Sequence, residues 1–316
     1  MNLYSDIFST NPDNHWFKIL FVVVLLFIVV HLFYKNKEVH EGFTQTGNFV
    51  AKYGEDIYDD FYVNIYDILN KTETRNVHEY QVFLATQPDK DNSRILDVGC
   101  ATGCLVKKLK DEGYDAIGID KSKSMVKAGL AKFGEDEGAL TCGSAESPDL
   151  LECETVTHVL CTHFTIYSIE DKVAFFKNCN YWMVNGGYLI LHLVDRLKFD
   201  LITPAGKPDE IKIGGEDGKR RKDTVIEFRD FIYKSTWDFS KMDKNNNAIQ
   251  METFTDRKTN KVRHNENTLF MEKESDILAK AQYCGFSMIA KYSLVDYNGD
   301  DNQSIYILTS IKNLAK

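Results

Sequence analysis

The sequence predicts an α/β fold built on a mostly parallel sheet, and three observations lead to this prediction. The apolar run over residues 95–98 indicates a buried strand that leads through a small-residue turn into a helix. Short apolar runs then alternate with helical patterns, which is typical of parallel strands joined by helices. Near the C-terminus, two apolar runs flank Asn298-Gly299-Asp300, which predicts a hairpin and therefore a reversed last strand.

The composition describes an acidic chain, long enough for one large domain or two small ones. Of its 316 residues 43% are hydrophobic, and the formal net charge is -9. General nucleic-acid binding depends on clustered Lys and Arg, so we expect no nucleic-acid partner. The seven cysteines are scattered and odd in number, which argues against a disulfide framework. Cys100 and Cys104 have no second ligand pair, so we expect no metal site. The oligomeric state stays open.

The N-terminal region predicts a membrane anchor. Residues 1–15 form a short polar tail, and in the apolar run that follows, over residues 16–34, His31 is the only polar side chain between positions 19 and 33. This length is near the minimum of about 17–20 residues for a helix that crosses a bilayer. A cleaved signal peptide and a buried core helix are the alternatives, but no small-residue cleavage site follows the run and the run has no polar face. Lys35 and Lys37 after the run favour a cytoplasmic location for the remainder.

The remainder is predicted to be a tether over residues 35–50 and one domain over residues 51–316. An amphipathic helix is expected over 56–69, and a second helix over 76–85. Strands are expected over 95–98, 116–119, 139–142, 158–161 and 188–194, with a helix over 170–182. An antiparallel β insertion at about 199–271 has predicted strands over 224–233, 249–254 and 262–270. A helix over 275–284 and hairpin strands over 286–294 and 304–311 follow.

The turn after the first of these strands is the strongest sign of a binding site. Asp97 precedes the turn, which contains Gly99, Ala101 and Gly103. Small residues let the backbone approach a ligand closely, and the N–H groups of the following helical turn point towards it.

The second strand ends at Asp120, 17 residues beyond the turn. An acidic residue at this place, about 20 residues after a glycine turn, accepts hydrogen bonds from ribose hydroxyls. The alternative is a carboxylate at a helix N-terminus before Ser122.

The turn resembles motif I of the class I S-adenosylmethionine-dependent methyltransferases, acidic-x-Gly-x-Gly-x-Gly. Asp97, Gly99 and Gly103 match it, and Ala101 replaces the middle glycine. The Gly-x-Gly-x-x-Gly pattern of nicotinamide and flavin enzymes fits less well, because it requires glycine at Ala101 and Cys104.

The resemblance covers about residues 58–311 and implies a Rossmann-like, seven-stranded sheet that ends in an antiparallel hairpin strand. It also implies S-adenosylmethionine as the cofactor, and the insertion is loosely similar to that of small-molecule N-methyltransferases. The implied cofactor-binding residues are Asp97, Gly99, Ala101, Gly103, Asp120, Ser144, Ala145 and Cys161. Ser144 stands where the family often has Asp, so one charge is lost.

The implied reaction is in-line methyl transfer to a nitrogen or oxygen of a small-molecule acceptor. His163 and Tyr167 after the fourth strand, and His192 near the end of the fifth, are the catalytic candidates. Family members commonly have a histidine pair where Tyr167-Ser168 stands, which leaves the use of a general base open. The alternative for His192 is a core histidine in an apolar strand.

A membrane-tethered interaction module with this fold and no activity is the alternative function. Ala101, Ser144 and Ser168 favour it, whereas the intact Asp97 and Asp120 argue against it. An oxidoreductase, the third class considered, would bind a nicotinamide or flavin cofactor instead.

Overall fold

Two units make up the chain, Met1–Gly42 and Phe43–Lys316. The computed structural model describes residues 15–36, 47–134, 138–206 and 223–312. The predicted tail over 1–15 and most of the predicted tether over 35–50 therefore lie outside the described residues.

In the first unit, helix α1 covers His15–Asn36, and its side chains are described over residues 18–29. Within the described part of the chain, no helix is both long enough and apolar enough to cross a membrane. The predicted transmembrane helix over 16–34 is therefore not supported. The predicted cytoplasmic location is untested.

The described part of the second unit contains twelve strands and nine further α-helices. The strands are β1 Phe49–Tyr53, β2 Arg94–Val98, β3 Asp115–Asp120, β4 Leu140–Cys142, β5 Val156–Cys161, β6 Met183–Val194, β7 Thr224–Glu227, β8 Phe231–Asp238, β9 Asn247–Asp256, β10 Val262–Phe270, β11 Phe286–Ser293 and β12 Gln303–Ser310. The helices are α2 Asp60–Leu69, α3 Thr72–Leu84, α4 Cys104–Asp111, α5 Lys123–Leu130, α6 Thr165–Ser168, α7 Lys172–Trp182, α8 Met242–Asn245, α9 Glu274–Tyr283 and α10 Val295–Asn298.

Seven strands form the central sheet in the order β11-β12-β6-β5-β2-β3-β4. The pairs among β2 to β6 are parallel, and β12 is antiparallel to both β6 and β11. The predicted α/β sheet with a reversed last strand is thus confirmed. Strand residues such as Ile95, Val159 and Leu189 are fully buried, as expected for a parallel sheet covered by helices on both faces.

The register of the parallel strands brings their carboxyl ends to one edge. Val98 of β2 is paired with Ile119 of β3, and Cys161 of β5 with Leu191 of β6. The loops that follow β2, β3 and β5 therefore emerge together, at the edge where open α/β sheets bind ligands.

The insertion forms a second sheet in the order β1-β10-β9-β8-β7. The strand predicted over 224–233 is wrong, because the chain reverses between β7 and β8, where the Phe228 N–H donates to the Phe231 carbonyl at 3.0 Å. β1 was not predicted at all. It pairs in parallel with β10, a partner so distant in sequence that no local pattern reports it.

The helix predicted over 56–69 starts later than expected. Residues Gly54–Ile57 form a 3₁₀ turn, and α2 begins at Asp60. Asp59 caps it by accepting a hydrogen bond from the Tyr62 N–H. The Asn185-Gly186-Gly187 segment lies within β6, and Gly186 has a φ of +77°.

Candidate active site

A cavity of about 1410 Å³ opens at the carboxyl edge of the parallel strands. Three parts of the second unit line it: the loops of the central sheet, the helices α2 and α3, and the inner face of the second sheet. The lining residues discussed below are Tyr58, Tyr62, Tyr66, Arg75, Glu79, Gly99, Ala101, Asp120, Ala145, Glu146, His163, Phe164, His192, Tyr233, Trp237, Gln250, Glu252 and Asn267.

The turn after β2 has the tight backbone that motif I requires. Gly99 has a φ of +69°, and a Cβ atom there would lie 2.5 Å from Thr165 Cγ2. Ala101 adopts a φ of +49° although it is not glycine, a conformation that costs an L-residue about 1–2 kcal/mol. Both residues line the cavity. The alanine therefore keeps the path of the glycine it replaces, at some cost in strain.

Asp97 and Gly103, also predicted to bind the cofactor, do not line this cavity. Asp97 is buried beneath the turn, and burial, with a smaller contribution from the nearby Glu79, raises the pKa of its carboxyl well above the usual range. Gly103 makes space for packing, since a Cβ atom there would lie 2.7 Å from Leu140 Cδ1. Their direct cofactor contact stays a prediction, and the structure gives them a supporting place under the turn.

Asp120 lines the cavity and makes the contact with the helix at Ser122 that was weighed as the alternative, whereas its ribose role stays a prediction. Its Oδ1 accepts a hydrogen bond from the Ser122 N–H at 2.8 Å, and its Oδ2 accepts one from the Ala101 N–H at 2.9 Å. Burial raises the pKa of this carboxyl. An ionised carboxylate has about four acceptor positions, so capacity remains for ribose hydroxyls.

The corner after β4 meets the cavity through Ala145, which is buried and lines it. The hydroxyl of Ser144 instead accepts a hydrogen bond from the Glu146 N–H at 3.2 Å, and Ser144 does not line the cavity. Glu146 does, and its Oε2 lies 2.8 Å from Lys121 Nζ. The geometry therefore does not favour the predicted contact between the Ser144 side chain and the cofactor.

Cys161 was predicted among the cofactor-binding residues, but its side chain is fully buried in the core and does not line the cavity. The alternation of side chains along β5 explains the discrepancy, since neighbouring strand residues face opposite sides of the sheet. Burial raises the pKa of its thiol above the usual range. We therefore correct its role to core packing.

The loop after β5 contains two residues with strained backbone conformations, and each of them makes a hydrogen bond. His163 and Phe164 have φ values of +45° and +65°, a region that L-residues rarely occupy. His163 Nε2 lies 3.0 Å from Asn70 Oδ1, and the Phe164 N–H donates to His192 Nδ1 at 3.1 Å. Such strain persists only where surrounding contacts enforce it, so both histidines help to hold this loop at the cavity.

The same contacts make His192 a poor general base. Because Nδ1 accepts from Phe164, Nε2 carries the proton and donates to Gln303 Oε1, 3.2 Å away. Burial lowers the pKa of His192 to about 4, and it lowers the pKa of His163 well below its ordinary value. Proton transfer at neutral pH is most efficient when the pKa lies near 7. The geometry gives His192 a positioning role, and its catalytic role stays a prediction.

Tyr167, the third catalytic candidate, does not face the cavity. Its ring is fully buried in the core, and its hydroxyl accepts a hydrogen bond from the Val194 N–H at 2.9 Å. The one-turn helix α6 directs the side chain into the core beside Val194 of β6, which the sequence pattern could not show. We correct its role to core packing.

Several cavity residues were missed by sequence reasoning. Arg75 and Glu79 lie one turn apart on α3, with Arg75 Nε 3.4 Å from Glu79 Oε1. This spacing is also typical of a surface ion pair, so it gave no warning of a site. Arg75 Nη1 is buried and has no hydrogen-bond partner among the described residues. A buried unpaired guanidinium nitrogen on a cavity wall is suited to an anionic ligand group.

Glu252 on β9 was also missed. Its side chain is buried, yet it lines the cavity. Oε1 accepts hydrogen bonds from the Tyr62 and Tyr233 hydroxyls at 2.9 and 2.8 Å, and Oε2 accepts one from Asn265 Nδ2 at 3.2 Å. Only its place in a strand that faces α2 brings these groups together.

Comparison with known proteins finds a family match in the central part of the chain. A family model described as a methyltransferase domain matches residues 96–191, from within β2 to within β6. This match identifies a methyltransferase domain in that segment, and it covers less than half of the chain. The recognition of this family from motif I is therefore confirmed. A search of curated protein sequences finds no match to this chain.

Solved structures support the same fold. An S-adenosylmethionine-dependent methyltransferase from Clostridium acetobutylicum has a TM-score of 0.58 at 17% identity, over 79% of this chain and 98% of its own. The CcbJ methyltransferase from Streptomyces caelestis has a TM-score of 0.58 at 14% identity, over 82% and 100%. DesVI from Streptomyces venezuelae has a TM-score of 0.54 at 15% identity, over 78% and 97%. The methyltransferase fold thus extends well beyond the matched segment.

Proposed function

We propose that the chain is an S-adenosylmethionine-dependent methyltransferase that acts on a nitrogen or oxygen of a small-molecule acceptor. The observation that carries the proposal is the cavity at the carboxyl edge of β2 and β3, where the motif I turn meets Asp120. Two comparisons support the proposal. A methyltransferase domain model matches the same segment, and the similar Clostridium protein is described as S-adenosylmethionine-dependent.

The residues of the cavity suit the chemical groups of this cofactor. Asp120 has acceptor capacity for the ribose hydroxyls, and the turn at Gly99 and Ala101 leaves room for a ligand against the backbone. Ala145 offers a small apolar surface for the adenine. The unpaired Nη1 of Arg75 suits the carboxylate of the methionine part.

When bound, S-adenosylmethionine supplies a methyl group on a positively charged sulfur, which leaves with the sulfur–carbon electron pair. The protein's contribution is then to hold the acceptor atom in line and to exclude water, which accounts for much of the rate in such displacements. The loop at His163 and Phe164, held by His192, fixes the wall on the sheet side. Neither histidine is needed as a base where the acceptor loses its proton to solvent.

The second sheet favours a small acceptor over a polymer. Its residues Trp237, Gln250, Glu252 and Asn267 line the same cavity as the loops of the central sheet. A cavity walled on this side suits a molecule that can be enclosed, whereas RNA or DNA requires an open, basic surface. The formal charge of -9 agrees with that choice.

Titration of the full chain with S-adenosylmethionine tests the proposal. We expect saturable binding, and transfer of radiolabelled methyl groups to a low-molecular-weight fraction of a metabolite mixture. Absence of saturable binding would instead support an interaction module without activity. Labelling confined to protein or RNA would contradict the small-molecule acceptor.

A further inference from the structure

The second-sheet wall of the cavity contains a buried carboxylate that is not paired with any described cation. Glu252 is 5% exposed, and its three hydrogen-bond donors are the neutral groups of Tyr62, Tyr233 and Asn265. Among the described residues, no basic side chain forms an ion pair with it. Burying an ionised carboxylate without a cation is costly, so the arrangement requires a reason.

The guanidinium group of Arg263, on the neighbouring strand β10, donates its hydrogen bonds to other groups. Arg263 donates from Nη1 to both carboxylate oxygens of Asp59 at 2.9 Å, and from Nη2 to the Ile57 carbonyl at 2.8 Å. Its Nε donates to Asn265 Oδ1 at 2.9 Å. That last bond fixes the amide orientation, so that Asn265 presents its N–H to Glu252. Arg263 therefore aligns a donor for Glu252, and among the described residues its ion pair is with Asp59 and not with Glu252.

The acceptor capacity of Glu252 is not exhausted. A carboxylate offers about four lone-pair positions, and the three bonds leave one position on Oε2. Burial raises the pKa of Glu252, and its hydrogen bonds together with the charge of Arg263 offset only part of that effect. A cation bound at the open position would offset that cost and would add a charge-assisted hydrogen bond.

Aromatic side chains surround the same part of the wall. The rings of Tyr58 and Tyr62 meet edge to face with centroids 5.6 Å apart, and both line the cavity. Trp237 lines it as well, with its indole N–H buried and without a partner among the described residues. Aromatic faces beside a carboxylate are a common environment for ammonium groups.

We propose that Glu252 binds a protonated nitrogen of the methyl acceptor, so that the acceptor is a cationic amine. The inference rests on the proposed methyltransferase function and narrows its substrate class. The amine held by Glu252 is a recognition group, and the atom that receives the methyl group is not assigned by this contact.

The test compares amines with alcohols of the same shape. We would measure binding of 2-phenylethylamine against 2-phenylethanol, and of cyclohexylamine against cyclohexanol, to the full chain at pH 7.5 by calorimetry. We expect at least one amine to bind about tenfold or more tightly than its alcohol, as expected for a hydrogen bond to a charged group. Equal affinities within both pairs, or no amine binding, would overturn the inference.

Two variants assign the preference to Glu252. Glu252→Gln keeps the shape and removes the charge, so the amine preference should fall to near unity. Glu266→Gln is the matched control: it lies on β10, does not line the cavity and pairs with His264 at 3.0 Å, so the preference should persist. A preference that persists in Glu252→Gln would overturn the assignment.

A crystal structure of the wild-type chain with the preferred amine covers the case in which Glu252→Gln does not fold. The nitrogen should lie within hydrogen-bonding distance of Glu252 Oε2, and a nitrogen bound elsewhere would overturn the inference. S-adenosylmethionine titration of the same samples separates the two proposals. If the wild type binds the cofactor but shows no preference for amines, only the role of Glu252 is rejected. If the wild type does not bind the cofactor, the methyltransferase proposal is rejected.

Discussion

The backbone N–H of Ala101 donates to Asp120 Oδ2 at 2.9 Å. This bond joins the turn after β2 to the end of β3. It also gives a hydrogen-bond partner to the N–H of Ala101, whose backbone is in the left-handed conformation. Asp120 therefore shapes the turn and also offers acceptor positions to a ligand. Its substitution should affect cofactor binding through both routes.

We expect Asp120→Ala to weaken S-adenosylmethionine binding by about 1.5–3 kcal/mol, the range for a hydrogen bond to a charged group. Calorimetric titration of the full chain measures the change. Asp115→Asn is the matched control, because Asp115 begins the same strand, pairs with Arg94 at 3.4 Å and is exposed. Equal affinities of Asp120→Ala and the wild type would remove Asp120 from the cofactor site.

A second prediction concerns Arg75 and the carboxylate of the cofactor. Arg75→Gln should lower the affinity for S-adenosylmethionine about 10- to 100-fold, because a buried charge-assisted bond is lost. Decarboxylated S-adenosylmethionine lacks the group in question, so its affinity should change little in the same variant. Equal losses for the two ligands would show that Arg75 acts through the fold, by way of Glu79, and does not contact the carboxylate.

The sequence was sufficient to predict the central sheet because its strands are short apolar runs bounded by turn residues. The motif I turn and Asp120 were also predictable, since ligand-binding backbone requires small residues at fixed positions. The strand β1 was not, because it is stabilised by β10, more than two hundred residues away. Helix α2 was predicted, but its start was misplaced by the 3₁₀ turn before it.

The direction of individual side chains was the weaker part of the prediction. Cys161 ends β5 and Tyr167 lies in α6, but the strand alternation and the single turn of α6 direct both side chains into the core. Conversely, Arg75 and Glu252 lie in elements with no motif, and they reach the cavity because α3 and β9 pack around it. Tertiary packing therefore decides which of the polar residues become site residues.

The buried histidines predict a pH dependence of stability. His158 lies in the core, with Nε2 3.0 Å from Thr86 Oγ1, and burial lowers its pKa to about 4. In the unfolded chain a histidine pKa is about 6.5, so between these values the unfolded state binds a proton that the folded state does not. The stabilisation is complete above about pH 6.5 and is lost as pH falls towards 4.

Denaturant titrations between pH 4.5 and 6 measure this effect. The free energy of unfolding should fall by about 1.4 kcal/mol per pH unit for each such histidine. His158→Gln removes one titrating group while an amide can still contact Thr86, so the slope should decrease by about that amount. Superimposable slopes for the variant and the wild type would contradict the assignment of the proton to His158.

The last prediction separates Tyr167 from His192. Tyr167→Phe removes the hydroxyl that accepts the Val194 N–H, so it should lower the free energy of unfolding by about 1–3 kcal/mol, the cost of a buried unpaired donor. Since Tyr167 does not line the cavity, turnover per folded molecule should be unchanged. His192→Asn removes a ring that lines the cavity and releases the strained Phe164 backbone from its hydrogen bond. Turnover should fall while cofactor affinity stays close to that of the wild type.

Turnover is measured with the identified acceptor and is corrected for the folded fraction by circular dichroism. The pH profile distinguishes a base from a positioning residue: loss of a base would remove an ionisation from the profile, whereas loss of a positioning residue would lower the rate at every pH. We expect the second result for His192, because both ring nitrogens are already hydrogen-bonded. Unchanged turnover in His192→Asn would place the acceptor away from the loop at Phe164 and would leave His192 as a core residue.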